Sequence, residues 1–166
     1  MINRITIQAY QVGLVFGKGK LINVLEAGSY WIFGNKQVHI YEMKQSFVAP
    51  IELTILLQNE KLASLLEVIE IADNEIALYY VNGMFKEVLT TGRYAFWKGY
   101  LDNAFTKIDL SKVEITEVVP VALLENIKVR AYTRKYQVLN FEKGLLFVNG
   151  TFVKELVAGN YYFWNN

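Results

Sequence analysis

The chain has 166 residues, of which 53% are apolar and 20% charged, and it contains one histidine and no cysteine. These numbers exclude a disulfide framework, a thiolate metal site, a thiol nucleophile and a two-histidine metal site. The formal net charge of +1 gives no field that would draw the chain to nucleic acid. A chain this apolar can bury a core by itself, so the composition predicts a folded domain or a short repeat array with no cofactor and no metal.

The N-terminus alternates apolar and polar residues from Ile2 to Ile7, which is typical of a half-buried strand and not of a signal peptide. The longest apolar run, Val118 to Leu124, is far shorter than the roughly 20 residues of a spanning helix. The sequence therefore predicts no membrane span. Together with the lack of cysteine, this predicts a cytoplasmic chain, peripheral to the membrane at most within a full-length protein.

Three segments of the chain align as internal copies, a pattern that must be found before any fold is assigned. Each copy has a turn glycine, a second glycine nine positions later, a leucine three positions before that second glycine and a tyrosine two positions after it. We interpret these signature residues as structural. They are Gly19, Leu25, Gly28, Tyr30, Gly83, Leu89, Gly92, Tyr94, Gly150, Leu156, Gly159 and Tyr161.

The spacing within each copy predicts an antiparallel three-stranded β-meander. Asn82-Gly83 and Asn149-Gly150 are the dipeptide that two-residue hairpin turns favour, and Lys18-Gly19 occupies the same place in the first copy. A return strand follows, and the second glycine turns the chain into a third strand rich in aromatic residues. The fold class predicted is therefore mainly β, with α+β as the alternative, built from tandem meanders that share a core.

Other elements lie between the copies. Asn59 caps a short helix that runs to Leu66, and Pro120 opens a helical turn that runs to Leu124. Apolar and polar residues alternate over 127–131, which predicts a further strand. The predicted fold is thus tandem meanders with two short helices.

A strand that carries an acidic residue follows the first two copies, in Val38–Lys44 and Lys107–Ser111. The predicted boundaries are 1–58 for repeat 1, 59–119 for repeat 2 and 120–166 for repeat 3. The third repeat lacks the acidic strand. We therefore expect repeat 3 to be incomplete and the chain to be part of a longer polypeptide.

The segments Asn140–Gly150 and Leu156–Phe163 resemble the opening strands of the band 7, or SPFH, domain of stomatins and slipins, and Ile108–Leu110 resembles that domain's next strand. The whole chain resembles the N-terminal repeat region of bacterial slipin-family proteins, with repeat 3 as the start of the band 7 domain. The resemblance implies membrane-associated oligomeric scaffolds that organise microdomains and regulate partner proteins, including membrane proteases. For this chain it implies membrane contact that is indirect or made through segments outside it.

The leading functional hypothesis is a non-enzymatic interaction or scaffold module. It would act through protein partners or self-association, with no nucleic acid, and would use the exposed strand edges at the ends of the array. The alternative is a small-ligand or glycan-binding module whose aromatic strands expose Trp31, Trp97 and Trp164. Against that alternative stands the simpler interpretation that these aromatic residues fill the core.

Catalytic residue types are sparse. A hydrolase that pairs His39 with Asp109 or Glu114 is the third hypothesis, and no motif supplies a nucleophile, a base and an oxyanion donor together. The densest basic cluster could meet anionic lipid, but we interpret it as a solvated strand face. Its members are Lys128, Arg130, Arg134 and Lys135.

Overall fold

The computed structural model describes residues 2–165, and within them the chain is mainly antiparallel β-structure, as predicted. The strands of the first copy are β1 (Ile2–Ile7), β2 (Gln11–Gly17), β3 (Lys20–Leu25), β4 (Gly28–Phe33) and β5 (Gln37–Glu42). Those of the second are β6 (Leu66–Ile71), β7 (Glu75–Val81), β8 (Met84–Leu89), β9 (Gly92–Trp97) and β10 (Asn103–Asp109). Those of the third are β11 (Thr133–Val138), β12 (Gly144–Val148), β13 (Thr151–Leu156) and β14 (Gly159–Trp164).

Three short helices lie between the copies in this part of the chain: α1 (Leu53–Leu56), α2 (Glu60–Leu65) and α3 (Val121–Leu124). The two predicted helices are confirmed. The Asn59 side chain accepts a hydrogen bond from the backbone N–H of Leu62 at the start of α2, and Pro120 precedes α3. The sequence did not reveal α1, a single turn with no side-chain cap.

The strand predicted over 127–131 is wrong. These residues form turns that lead into a 3₁₀ helix, Arg130–Tyr132, and β11 begins only after it. The turn closes on Asn126, whose backbone carbonyl accepts from the N–H groups of Val129 and Arg130 and whose side chain accepts from the N–H of Lys128 at 3.0 Å. Alternation of apolar residues cannot distinguish such a turn from a short strand.

Each copy is a pair of small sheets. The second and third strands form the predicted hairpin, and the fifth strand, where the structure describes one, pairs with the other edge of the second strand. The sheets of this kind are β3-β2-β5, β8-β7-β10 and β12-β13. The fourth strand pairs instead with the first, giving the sheets β1-β4, β6-β9 and β11-β14.

The predicted meander is therefore wrong in its third strand, which is the fourth strand of each copy (β4, β9 and β14). This strand leaves the sheet of the hairpin. The second glycine is where the chain departs, at Gly28, Gly92 and Gly159, with φ between +150° and +157°. Side chains are strongly disfavoured in that region of backbone conformation. The glycine thus redirects the chain from the hairpin to the first strand of its copy.

The chain divides into two compact units. The first contains the chain up to Glu70 with Tyr80–Met84 and Arg93–Ala104, and the second contains Ile71–Tyr79, Phe85–Gly92 and the chain from Phe105 onward. The second copy contributes strands to both units. The predicted repeat boundaries follow the internal copies, whereas the units cut through the second copy.

The main core of the first unit lies around residues 43–65, which we call the first connector because they join β5 to β6. Buried residues of β2 (Val12, Leu14 and Phe16) pack in one cluster with Leu56 and Leu62 of the connector. Leu66 of β6 and Ala95 and Trp97 of β9 belong to the same cluster. The connector thus covers apolar faces that the strands alone would expose.

A smaller cluster fills the space between the two sheets of the first copy. Ile7, Val15 and Leu25 are buried there, with Ile32 and Val38 packed against them. A similar cluster lies in the third copy, within the second unit. Its residues Val138, Leu146, Leu156 and Phe163 correspond to Ile7, Val15, Leu25 and Ile32 of the first copy.

Candidate protein-interaction site

The turn glycines of the signature lie in the predicted tight turns. Gly19, Gly83 and Gly150 have φ of +76° to +77°, and the residues before them have φ of +50° to +52°. Positive φ at both central positions is the requirement of a type I′ turn. The first glycine of the signature is thus a backbone requirement of the hairpin.

The tyrosine of the signature closes the turn at the second glycine. In the first copy the Tyr30 hydroxyl donates to the carbonyl oxygen of Glu26 at 3.0 Å. In the third copy Tyr161 donates to the carbonyl oxygen of Val157 at 2.7 Å. The Tyr30 ring lies so close to Gly28 that an added Cβ would stand 3.2 Å from its hydroxyl. The leucines of the signature are buried, at 4%, 5% and 8% exposure for Leu25, Leu89 and Leu156.

Sequence reasoning missed one further repeated pair. A buried aliphatic residue ends the first strand of each copy, at Ile7, Ile71 and Val138. A small residue follows six positions later in each copy, at Gly13, Ala77 and Gly144. A Cβ added at Gly13 would stand 2.9 Å from Ile7, and one added at Gly144 would stand 3.1 Å from Val138. The close approach of the two sheets therefore demands a small residue. The same six-residue spacing of this pair in all three copies could have revealed it from the sequence.

The predicted aromatic contact surface is wrong for two of its three residues. Trp97 and Trp164 are each 1% exposed, whereas Trp31 is 60% exposed. The Trp164 indole N–H donates to Glu117 at 3.1 Å, and its backbone N–H donates to the carbonyl of Val113. Residues 110–132, which we call the second connector, thus hold one indole, and the first connector packs against the other. A glycan could not reach either ring without opening the core.

The residues of the hydrolase hypothesis each have a structural partner. The exposed His39 ring packs edge-on against Phe16, with ring centroids 5.4 Å apart. Glu114 accepts from Lys154 at 2.6 Å. Asp109 accepts from the hydroxyl and the N–H of Ser111 at 2.6 and 3.0 Å. Within residues 2–165, no group of three or more acidic or histidine side chains is placed to hold a metal ion.

The basic cluster is not a strand face, since Lys128 and Arg130 lie before β11 in the turns and the 3₁₀ helix. Lys128 donates to the carbonyl of Lys86 at 2.7 Å, and Lys135 pairs with Glu125 at 2.6 Å. The hydrogen bond from Lys135, followed by one from a tyrosine hydroxyl, lowers the pKa of Glu125 below its ordinary value. The side chains of Lys128 and Lys135 are thus engaged with protein groups.

One strand edge sets the third copy apart. β2 lies between β3 and β5, and β7 lies between β8 and β10, but β12 pairs with β13 alone among the residues that the structure describes. An edge strand of this kind presents unpaired N–H and C=O groups in a row. It can accept another strand.

The side chains of β12 are exposed where those of its counterparts are buried. Leu145 is 60% exposed, whereas its counterparts Leu14 and Leu78 are both 0% exposed. Phe147 is 54% exposed, and its counterpart Phe16 is 7% exposed. Phe152 of β13, at 54%, packs edge-on against Phe147. The third copy therefore presents an apolar face that the first copy buries.

A groove of about 820 Å³ runs along the same edge, between the two sheets of the third copy. Apolar residues of the inter-sheet cluster line it, with Arg134, Glu142 and Lys143 at its charged positions. In the first copy the corresponding space holds Val38 of β5, packed on Ile7, Val15 and Leu25. The groove is thus the place that a fifth strand fills elsewhere in this chain. We call β12 with this groove the β12 site.

No family model, curated protein or solved structure matches the chain. The resemblance to slipins therefore stays a prediction. The described residues contain no helix of the length and apolarity that crossing a membrane would require.

Proposed function

We propose that this chain is a non-enzymatic protein-interaction module that binds an extended polypeptide segment by adding it as a strand to β12. The observation that carries the proposal is the edge of β12 that no strand within residues 2–165 pairs with, whereas β2 and β7 are paired on both edges. A strand bound there would satisfy the backbone groups of β12 and cover its apolar side chains.

The wider role is part of the same proposal. Assembly of a scaffold, or recruitment of partners near a membrane, rests on the resemblance to slipin and band 7 proteins given above. An open edge in a folded protein is a hazard unless it is protected or used. The exposed Leu145 and Phe147 support its use as a binding surface, because large apolar side chains next to an unpaired edge favour association.

Amide hydrogen exchange tests the state of the edge. We expect the amides of Gly144–Val148 to exchange faster than those of Gln11–Gly17, because β2 has a neighbour on both sides. A displayed library of random extended peptides should then yield ligands that slow exchange in β12. Full protection of β12 in the protein without any added peptide would contradict the proposal, because the edge would already be occupied.

A matched pair of variants locates the binding surface. Phe147→Lys changes a residue of β12 that is 54% exposed, and Phe33→Lys changes a residue of similar exposure, 58%, in the first unit. We expect Phe147→Lys to weaken the selected peptides by about tenfold or more, as loss of a central apolar contact does, and Phe33→Lys to leave binding unchanged. Circular dichroism checks that both variants stay folded. Equal loss in both, or no loss in either, would rule out the β12 site.

A further inference from the structure

We propose that the strand bound by β12 runs antiparallel to it, places an aromatic side chain opposite Leu146, and carries an acidic residue three positions later, opposite Lys143. This inference rests on the proposed function and specifies its ligand. The fifth strands of the first two copies serve as the template, since each occupies the corresponding edge in its own copy.

The two fifth strands share one register. The Met43 N–H donates to the carbonyl of Tyr10 at 2.9 Å, and the Leu110 N–H donates to the carbonyl of Asn74 at 2.8 Å. Tyr10 and Asn74 hold the same place in their copies, 64 positions apart, so Met43 corresponds to Leu110. Counting back along both strands, Val38 corresponds to Phe105.

The register of β5 places the anchor of the incoming strand. β5 runs antiparallel to β2, with Val38 opposite Val15 and Tyr41 opposite Val12. The counterparts of Val15 and Val12 in the third copy, counted from the turn glycines, are Leu146 and Lys143. An incoming strand of the same register therefore has its first inward side chain opposite Leu146.

The groove favours an aromatic ring at this anchor. In the second copy Phe105 stacks on Tyr79, the counterpart of Leu146, with ring centroids 5.1 Å apart and planes 13° apart. The third copy has Tyr136 and Phe163 at the places of two isoleucines of the first copy, and both residues line the groove. Rings in edge-to-face or offset contact gain energy beyond the area that they bury.

Lys143 distinguishes the third copy from the other two. Its counterparts are Val12 and Ile76, which are 1% and 2% exposed. Lys143 donates a hydrogen bond to Glu155 of β13 at 2.6 Å, and this bond raises the pKa of Lys143 above its ordinary value. Lys143 immediately precedes β12, and a lysine at the end of a paired strand favours an acidic residue directly opposite. Glu42 and Asp109 end the two template strands and bond to Lys44 and Ser111 in the turns that follow, so the ligand does not require them.

A peptide from the chain itself is the probe. A fluorescent peptide of residues 101–111 carries Phe105 as the anchor and Ile108 three positions later. We expect it to bind the protein in fluorescence anisotropy, and expect Phe105→Ala in the peptide to weaken binding by about tenfold or more, because a buried aromatic anchor is lost. If the peptide binds equally well without its aromatic ring, the inference of an aromatic anchor opposite Leu146 is overturned.

A double-mutant cycle tests the acidic residue proposed three positions after the aromatic anchor, opposite Lys143. Ile108→Glu in the peptide should strengthen binding by about two- to fivefold, the range of one cross-strand ion pair. The gain should disappear on Lys143→Ala protein and persist on Lys20→Ala, which removes an exposed lysine of the first copy. A gain that survives Lys143→Ala, or no gain at all, would overturn this part of the inference.

Engineered cysteines test register and direction, and the natural chain has none to interfere. The template places Thr106 of the peptide opposite Leu145 and Ala104 opposite Phe147. Cysteines at either matched pair should form a disulfide readily, while crossed pairs lie farther apart than disulfide geometry accepts. Equal rates in all four combinations, or faster crossed pairs, would overturn the antiparallel register.

The two proposals fail in different ways. If library peptides protect β12 but lack the aromatic and acidic pattern, the ligand inference is overturned and strand addition stands. If no extended peptide of any sequence slows exchange in β12, both proposals are overturned.

Discussion

The hydroxyl of Tyr161 donates a hydrogen bond to the carbonyl oxygen of Val157, 2.7 Å away, across the turn at Gly159. Tyr30 makes the corresponding bond to Glu26 in the first copy. A tyrosine that bonds to the backbone a few residues upstream also stabilises corners in β-sandwich domains. In this chain the bond is made where the strand passes from the hairpin to the partner sheet.

Removing this hydroxyl should destabilise the protein. We expect Tyr161→Phe to lower the free energy of unfolding by about 1 kcal/mol, the usual net value of one hydrogen bond. Urea denaturation followed by circular dichroism gives the measurement. Tyr136→Phe is the matched control, because Tyr136 lies on the neighbouring strand and is 50% exposed. An equal effect of the two substitutions would contradict the role of the Tyr161 bond.

The first hairpin turn can be improved. Lys18 has φ of +52°, a conformation that asparagine tolerates better than lysine, and the other two copies have asparagine there. We expect Lys18→Asn to raise the free energy of unfolding by about 0.5 kcal/mol or more. The reverse change, Asn149→Lys, should lower it. Thermal melts of both variants give the comparison, and the prediction is wrong if both changes have the same sign.

The three tryptophans should differ in quenching by acrylamide. Trp31 is 60% exposed and lies with Arg4 over its ring, whereas Trp97 and Trp164 are 1% exposed. We expect one readily quenched component in native protein, which Trp31→Phe removes. Trp97→Phe should leave that component in place. Ready quenching that persists without Trp31 would show that a buried indole is accessible.

Acidification should remove the contribution of Asp109. The hydrogen bond from the Ser111 hydroxyl, followed by the bond from the Ser111 N–H, lowers the pKa of Asp109 below its ordinary value. A carboxyl whose pKa is lower in the folded state stabilises the fold at pH above the pKa of the unfolded chain. That stabilisation is lost as the pH falls through the folded-state pKa.

An NMR titration of the Asp109 side-chain carboxyl checks this prediction. Ser111→Ala removes the hydroxyl donor and should raise the midpoint towards the ordinary value for aspartate. Ser46→Ala, an exposed serine of the first connector, should leave the midpoint unchanged. A midpoint that Ser111→Ala does not move would contradict the cause assigned to the shift.

Local sequence predicted the local elements well. Asn82-Gly83 and Asn149-Gly150 predicted hairpin turns, and Asn59 predicted the start of α2; the structure confirms all three. Such features depend on the backbone preferences of a few adjacent residues. The strand predicted over 127–131 failed because a turn closed by Asn126 shows the same apolar alternation.

The partner of the fourth strand could not be predicted in the same way. The second glycine of each copy indicated a turn, but adjacent strands usually pair, and the meander was the simpler topology. The crossing is accompanied by a close fit between Ile7 and Gly13, where an added Cβ would stand 2.9 Å from Ile7. That fit depends on residues from different strands.

The sequence by itself determined that the chain is a β-rich repeat array, because turn types and the spacing of the repeats depend on residues that are close in sequence. Tertiary structure decided which repeated positions are open. Leu14 and Leu145 occupy the same place in their copies, yet one is 0% and the other 60% exposed. The difference comes from β5 and the first connector, which cover β2, and no local pattern around Leu145 reports whether such a cover is present.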